Sequence, residues 1–114
     1  MDNKLLIINS FGENNPVTIN LVNTRKAAII YRAINHQLRQ RMLKLLDERG
    51  AMKVSDIYKT LRMEQSETSR HLGCLRMAGV VRTERKAKCI YYSLNTDRLK
   101  EINEMAALLT GQNQ

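Results

Sequence analysis

The chain has 114 residues, of which 43% are hydrophobic and 26% are charged. A chain of this length and composition folds as one domain around an ordinary core, which excludes a two-lobed enzyme with its active site between the lobes. Nineteen Lys and Arg residues against eleven Asp and Glu residues give a net charge of +8, and this surplus favours a polyanionic partner, nucleic acid before an acidic membrane surface.

The sequence also indicates the compartment. No apolar run approaches the about 20 residues that a membrane span requires, and the N-terminus lacks the basic and apolar regions of a signal peptide. Two cysteines, Cys74 and Cys89, are too few for a secreted disulfide framework. We therefore expect a cytoplasmic protein with free thiols.

Residues 1–20 differ from the rest of the chain. The apolar run from Leu5 to Ile8 is suited to a short strand, but turn-forming residues at 12–16 interrupt the chain before a helix begins. We treat residues 1–20 as an N-terminal extension whose structure the pattern does not define. The domain is expected over residues 21–111, with a short tail at 112–114.

The first two predicted helices precede Gly50. Apolar residues recur three, four and seven positions after Ala27, and Asn23 or Thr24 is suited to cap this first helix. A second helix is predicted from about residue 37 to residue 48, with one apolar and one charged side, and Gly50 ends it.

Two short helices follow, separated by a tight turn. Ser55 and Asp56 are good starting residues for a third helix that ends near Arg62. A fourth helix is predicted over roughly residues 65–78, and Gly79 ends it.

The hydrophobic period changes after the fourth helix. Residues 80–81 open a strand, residues 85–88 form a polar turn, and residues 89–94 form a second strand rich in β-branched and aromatic side chains. The pattern predicts a β-hairpin with a basic tip.

The last predicted helix is capped by Asn95 or Thr96 and continues to about Thr110. Its apolar stripe can belong to the core of one protomer, but in so short a chain a C-terminal amphipathic helix more often closes a dimer. We therefore expect a homodimer built from the first and last helices. The predicted dimerisation residues are Ile30, Ile34, Leu99, Ile102, Met105 and Leu109.

Two short helices joined by a tight turn and followed by a basic hairpin are typical of a winged helix-turn-helix, here a mainly α fold with about five helices and a small β-hairpin wing. If Thr68, Leu72 and Leu75 face the core, hydroxyl, amide and guanidinium groups occupy the opposite face of the fourth helix, where they suit base edges and phosphates. Seven Lys or Arg and three Glu between Arg62 and Lys88 give this region a net charge of +4. The predicted DNA contacts are Gln65, Ser66, Ser69, Arg70 and His71 on the helix, and Arg82, Arg85, Lys86 and Lys88 on the wing.

Three segments carry a resemblance to a known family. Residues 65–72 (QSETSRHL), 75–81 (LRMAGVV) and 90–94 (IYYSL) resemble the recognition helix, its exit and the wing strand of the ArsR/SmtB winged-helix transcriptional repressors, and the resemblance extends over about residues 25–111. It implies a homodimer whose two recognition helices enter successive major grooves of a near-palindromic operator. Two-fold symmetry sets the half-sites about 10 bp, or a multiple of it, apart.

The chain departs from the family pattern in two places. Where members often carry a D-P-x-R segment, this chain has residues 36–39 (HQLR) and keeps only the arginine. Where the pattern has a Ser or Thr cap before the recognition helix, this chain has Glu64, a weaker cap whose charge still suits a helix N-terminus.

The metal ligands of the family are absent. Lys53 and Ser55 stand where metal-sensing members carry a C-x-C pair, and residues 95–114 contain neither His nor Cys. Because a transition-metal site needs several such ligands, we predict that neither family metal site is present.

A second possible site consists of His71, Cys74 and Cys89. His71 and Cys74 lie three positions apart on one helix, so a zinc or thiol-redox site there would act on the DNA-reading element. The simpler interpretation is that Cys74 packs as a small residue and that His71 makes a local polar contact or binds a phosphate. Strand alternation puts Cys89 beside Tyr91 and opposite Ile90, which suggests an exposed thiol.

No catalytic pattern is present. The sequence has no triad order and no glycine-rich phosphate loop, so we expect neither an enzyme nor a cofactor. We predict a sequence-specific, dimeric transcriptional repressor that binds double-stranded DNA. The alternatives are a winged-helix interaction or non-specific nucleic-acid-binding module, and a repressor that responds to thiol redox state or zinc; the sequence identifies no small-molecule or metal inducer.

Overall fold

A computed structural model describes residues 4–9 and 14–112 and confirms the winged helix-turn-helix, with five helices and a β-hairpin wing. None of the helices in these ranges is long and apolar enough to cross a membrane. The helices are α1 (Leu21–Ile34), α2 (Gln37–Arg49), α3 (Val54–Leu61), α4 (Gln65–Met77) and α5 (Thr96–Thr110). The strands are β1 (Leu5–Ile8), β2 (Val17–Asn20), β3 (Met52–Lys53), β4 (Val81–Lys86) and β5 (Cys89–Leu94).

The wing is part of a three-stranded antiparallel sheet with the order β3-β5-β4. The sequence analysis missed β3, whose two residues are too few to show a period. The predicted turn at residues 85–88 is too long, because Arg85 and Lys86 still pair with Ile90 and Cys89. The reversal is this short because Ala87 adopts a left-handed conformation with a φ of 56°.

The N-terminal extension contains a second, separate hairpin. Strands β1 and β2 pair antiparallel, with Leu5 opposite Asn20 and Ile8 opposite Val17. The sequence analysis anticipated a strand only at residues 5–8. The backbone N–H of Leu21 donates to the carbonyl of Lys4 at 2.7 Å, which joins this hairpin to the start of α1.

The cap of α1 differs from the prediction. The side chain of Asn20, rather than of Asn23 or Thr24, accepts a hydrogen bond from a backbone N–H, that of Asn23, at 3.0 Å. The predicted caps already lie inside the helix, because strand β2 runs directly into it. Asn95 caps α5 as predicted, accepting from the backbone N–H of Arg98 at 3.3 Å.

Helix α3 also begins earlier than predicted. Lys53 is its N-cap residue and makes no side-chain cap hydrogen bond, so Ser55 and Asp56 lie in the first turn instead of starting the helix. The cause is β3, since Lys53 still pairs with Tyr91 in the sheet. The carboxylate of Asp56 nevertheless suits this end of the helix dipole.

The core lies among α2, α3, α4 and the base of the wing, and its fully buried side chains exclude water by close packing. Burying such apolar side chains is the dominant favourable contribution to folding. The larger fully buried residues are Met42, Ile57, Thr68, Leu72, Leu75 and Val80.

Candidate nucleic-acid interface

A tight turn sets the position of α4. Arg62 ends α3 in the left-handed region, with a φ of 56° and a ψ of 50°, and this reverses the chain within three residues. Glu64 caps α4 without a side-chain hydrogen bond, as its type predicts. Thr68 is buried, and its hydroxyl donates to the carbonyl of Glu64 at 2.9 Å, so this side chain packs in the core with its polar group satisfied inside the first turn of α4.

The two sides of α4 have opposite character. Thr68, Leu72 and Leu75 are buried, as predicted. The opposite side presents polar side chains over the N-terminal half of the helix, then Gly73, beside which the space that a Cβ would occupy is open, and the exposed Met77 at its C-terminal end. The exposed residues predicted to contact DNA are Gln65, Ser66, Ser69 and Arg70.

His71 does not lie on this face, contrary to the prediction that grouped it with the DNA contacts. It is 3% exposed, and its Nδ1 accepts a hydrogen bond from Nε of Arg39 at 3.1 Å. Burial lowers the pKa of His71, and the charges of Arg70, His36 and Arg39 lower that pKa further. The ring is therefore a neutral acceptor that joins helices, in agreement with the simpler interpretation as a local polar contact.

Arg39 is a residue to which the sequence analysis assigned no role. Besides its bond to His71, it donates from Nη1 to the carbonyls of Arg32 and Ala33, each at 3.4 Å. The ring of His36 lies 4.8 Å from that of His71. Arg39 thus connects the end of α1, the start of α2 and the middle of α4, the helix predicted to read DNA.

The wing separates the basic residues that were predicted as one set. Arg82 lies at the base and donates from Nη2 to Oδ1 of Asn95 at 3.1 Å. Lys86 lies farther along, with Nζ 3.7 Å from Oε1 of Glu84 and 5.9 Å from the ring centre of Tyr91. Of these four wing residues, Arg85 and Lys88 are exposed and form neither an ion pair nor a side-chain hydrogen bond within the described part of the chain.

The predicted dimerisation residues divide into two groups. In the protomer Ile102 is buried in the core, and Ile30, Ile34 and Leu99 are half-buried against it. These four already contribute to the core of one protomer, and their role in a dimer stays a prediction. Met105 and Leu109 are 50% and 83% exposed. They line a groove of about 630 Å³ between α1 and α5, which we call the α1–α5 groove and which also includes Ile30 and Ile102.

The α1–α5 groove also depends on a hydrogen bond that the sequence analysis missed. The hydroxyl of Tyr31 donates to the backbone carbonyl of Ile102 at 2.9 Å. Exposed apolar surface extends beyond the groove to Leu108, which no prediction included.

The two cysteines are free thiols, and both are half-buried. Cys89 is less exposed than predicted, and the residue of β5 that projects into solvent near the tip is Ile90. Within residues 4–9 and 14–112, no three His, Cys, Asp or Glu side chains lie close enough together to hold a metal ion. His71, Cys74 and Cys89 therefore do not form the metal site considered above.

Comparison with protein families identifies the region that contains this surface. The model of a family described as bacterial regulatory protein, arsR family, matches residues 36–83. The match extends from the start of α2 to the first residues of β4, and thus includes the whole helix-turn-helix.

Individual proteins show the same similarity. An uncharacterized HTH-type transcriptional regulator of Methanocaldococcus jannaschii is 39% identical over 77 residues, which are 68% of this chain and 86% of that protein. The transcriptional repressor SdpR of Bacillus subtilis is 36% identical over 72 residues, which are 63% of this chain and 79% of that protein.

A solved structure agrees in fold. The homodimeric winged helix-turn-helix DNA-binding domain of a possible ArsR-family regulator from Mycobacterium bovis matches with a TM-score of 0.65, covering 82% of this chain and 86% of that one. At 20% identity this likeness shows the fold alone.

Proposed function

Because the chain belongs to the ArsR family of bacterial regulatory proteins, we propose that it represses transcription by binding a near-palindromic operator as a homodimer. Its family function is transcriptional regulation through DNA, and we assign DNA binding and dimerisation to residues 21–111. Such a regulator acts in the cytoplasm and catalyses no reaction. The observation that carries the proposal is the polar, exposed face of α4 directly opposite its buried face.

Helix α4 enters the major groove with its N-terminal half. Arg70 has the planar fork of donors that recognises a guanine edge, and Gln65 has the amide that pairs with adenine. Ser66 and Ser69 hydrogen-bond phosphates or bases beside them. The open side of Gly73 allows the helix backbone to lie close to the DNA.

The wing holds the neighbouring backbone or minor groove. Arg85 and Lys88 contribute most, because their charges are not engaged by acidic side chains among the described residues. Arg82 and Lys86 contribute less, because Arg82 already donates to Asn95 and Lys86 already pairs with Glu84. Phosphate contacts of this kind add affinity without sequence preference.

Dimerisation buries the apolar surface of the α1–α5 groove. Met105, Leu108 and Leu109 expose apolar side chains to water, and burying them against a second copy is favourable. The homodimeric M. bovis domain supports this arrangement by analogy of fold. A two-fold axis then presents both α4 helices to one side of the DNA.

The test is a selection of bound sequences from a random duplex pool, followed by binding to the winner at two salt concentrations. A two-fold symmetric consensus bound about 10³-fold more tightly than random DNA supports the proposal. Absence of enrichment, with binding that only weakens as salt rises, contradicts it and favours the non-specific module. A reporter promoter carrying the consensus then gives the sign of regulation, and increased transcription contradicts repression.

A further inference from the structure

A second groove lies on the side of α4 that faces α1, and it shares no lining residue with the α1–α5 groove. It encloses about 750 Å³, within the range of small-molecule sites. Its apolar walls come from Ile29, Ala33 and Met77, and Met77 is 85% exposed although it is a large apolar side chain. We call it the α1–α4 groove.

The charges around the α1–α4 groove all have one sign. Arg32, Arg39 and Arg70 line it, and no Asp or Glu does so among the described residues. Arg32 and Arg70 form no ion pair within residues 4–9 and 14–112. Three guanidinium groups around one apolar cavity repel each other, and an anion bound between them relieves that repulsion.

One of these three groups is already held in position. Arg39 is fixed through Nε by His71 and through Nη1 by two backbone carbonyls. In the described part of the chain nothing accepts from Nη2, so this nitrogen is available to a ligand. A donor oriented before binding lowers the entropic cost of capturing a carboxylate.

From this combination of apolar walls and unpaired guanidinium groups we infer that the α1–α4 groove binds a small amphipathic carboxylate, with its chain or ring on Ile29, Ala33 and Met77 and its carboxylate on Arg32, Arg39 and Arg70. The ligand acts as an inducer. Arg70 lines this groove and also the polar groove at the N-terminal end of α4, so the carboxylate and the DNA compete for the same side chain. The inducer role rests on the proposed function, whereas the binding of the ligand to the groove does not.

The first test measures ligand binding without DNA. Octanoate is titrated into the full chain, with 1-octanol and octylammonium as probes of the same length, and backbone amide shifts are followed by NMR. We expect octanoate to bind saturably, with shifts centred on Ala33 and Gly73, and to bind at least about fivefold more tightly than either probe. Equal binding of octanol, or shifts centred on the α1–α5 groove, overturns the inference.

Two variants test the site itself. Arg32→Gln removes an exposed guanidinium and is expected to weaken octanoate binding about fivefold, whereas Arg41→Gln, which removes an exposed guanidinium of α2 outside the groove, leaves it unchanged. Gly73→Leu fills the groove from a position where a Cβ meets nothing within 4 Å, and abolishes binding. Equal affinities of the two arginine variants, or octanoate binding that survives Gly73→Leu, contradict the assignment.

The second test measures coupling to DNA. Octanoate is expected to weaken operator binding, and operator DNA to weaken octanoate binding by the same factor, because linkage is reciprocal. If octanoate binds but the DNA selection yields no operator, the proposed function is overturned and the ligand site stands. Operator binding without octanoate binding overturns the site and leaves the function, and binding of both without coupling overturns the inducer role.

Discussion

Arg39 donates from Nε to Nδ1 of His71 at 3.1 Å, and this bond joins the start of α2 to the buried side of α4. The bond requires an imidazole nitrogen without a proton. Because the bond lies beneath the helix proposed to read DNA, the protonation state of His71 affects the support of that helix.

The stability of the fold should therefore fall at acid pH. Burial first, and then the neighbouring cationic groups, hold the pKa of folded His71 below the ordinary value of 6.5. As the pH falls below 6.5, the unfolded chain takes up a proton that the folded chain does not, so folding is progressively disfavoured until the pH passes the folded pKa. Urea unfolding across this range measures the loss.

The matched variant is His71→Gln, whose amide oxygen can accept from Arg39 but does not titrate. We expect its free energy of unfolding to decline less with acid than that of the parent chain. Parallel pH profiles of the two proteins would exclude His71 as the source.

Arg70→Ala should reduce sequence discrimination. Loss of a guanidinium from a base edge costs about 1–3 kcal/mol against the correct base pair and little against a substituted one. Binding to the selected operator and to its single-base variants measures this. Arg49→Ala, which removes an exposed charge at the end of α2, should leave the preference intact; an even loss across all sequences for Arg70→Ala would assign it to phosphate instead.

Lys88→Ala should weaken binding to all duplexes alike. Its ammonium group lies at the wing tip, so its removal eliminates about one phosphate contact and lowers the slope of log affinity against log salt by about one. The control is Lys100→Ala, an exposed lysine of α5. If Lys88→Ala leaves the slope unchanged, the wing tip does not contact the backbone.

Leu109→Glu should dissociate the dimer. The side chain is 83% exposed in the protomer, so the substitution leaves folding unaffected, but a two-fold interface buries the new charge twice and weakens dimerisation at least about tenfold. Sedimentation equilibrium measures this, with Ile90→Glu on the wing as the control. An unchanged association constant would place the dimer interface elsewhere.

Tyr31→Phe should cost about 0.5–1.5 kcal/mol of unfolding free energy, because it removes the hydroxyl that donates to the carbonyl of Ile102. Tyr58→Phe is the matched control, since no hydrogen bond of the Tyr58 hydroxyl occurs within the described ranges. Denaturant unfolding of both variants separates the bond from the general effect of losing a hydroxyl. Equal costs would mean that the Tyr31 bond contributes nothing specific.

The helices and the wing were predictable because each has a period and a stop signal of its own. The burial of His71 was also predictable, since Thr68, His71, Leu72 and Leu75 follow the spacing of one helix face. His71 was instead predicted to contact DNA, because its imidazole is also suited to bind a phosphate. The partner of His71 could not be found this way, because Arg39 lies 32 positions away and no local pattern connects them.

Strand β3 and the burial of the apolar stripe of α5 could not be predicted from the sequence. Strand β3 exists only because Met52 and Lys53 meet the edge of β5, a tertiary contact without local periodicity. The apolar stripe of α5 shows which residues avoid water, but not whether the same protomer or a second one buries them. Ile102 and Leu109 were therefore grouped together, although only Ile102 is buried in the protomer.

The position of β5 in the centre of the sheet has a mechanical consequence. It pairs on one side with β4, which carries the wing tip, and on the other with β3, which runs directly into α3. We therefore expect the wing and the helix-turn-helix to move together, so that the distance between the proposed backbone and base contacts within a half-site varies little. In the proposed dimer, adjustment to different half-site spacings then depends on the contact between protomers, which we assign to α1 and α5.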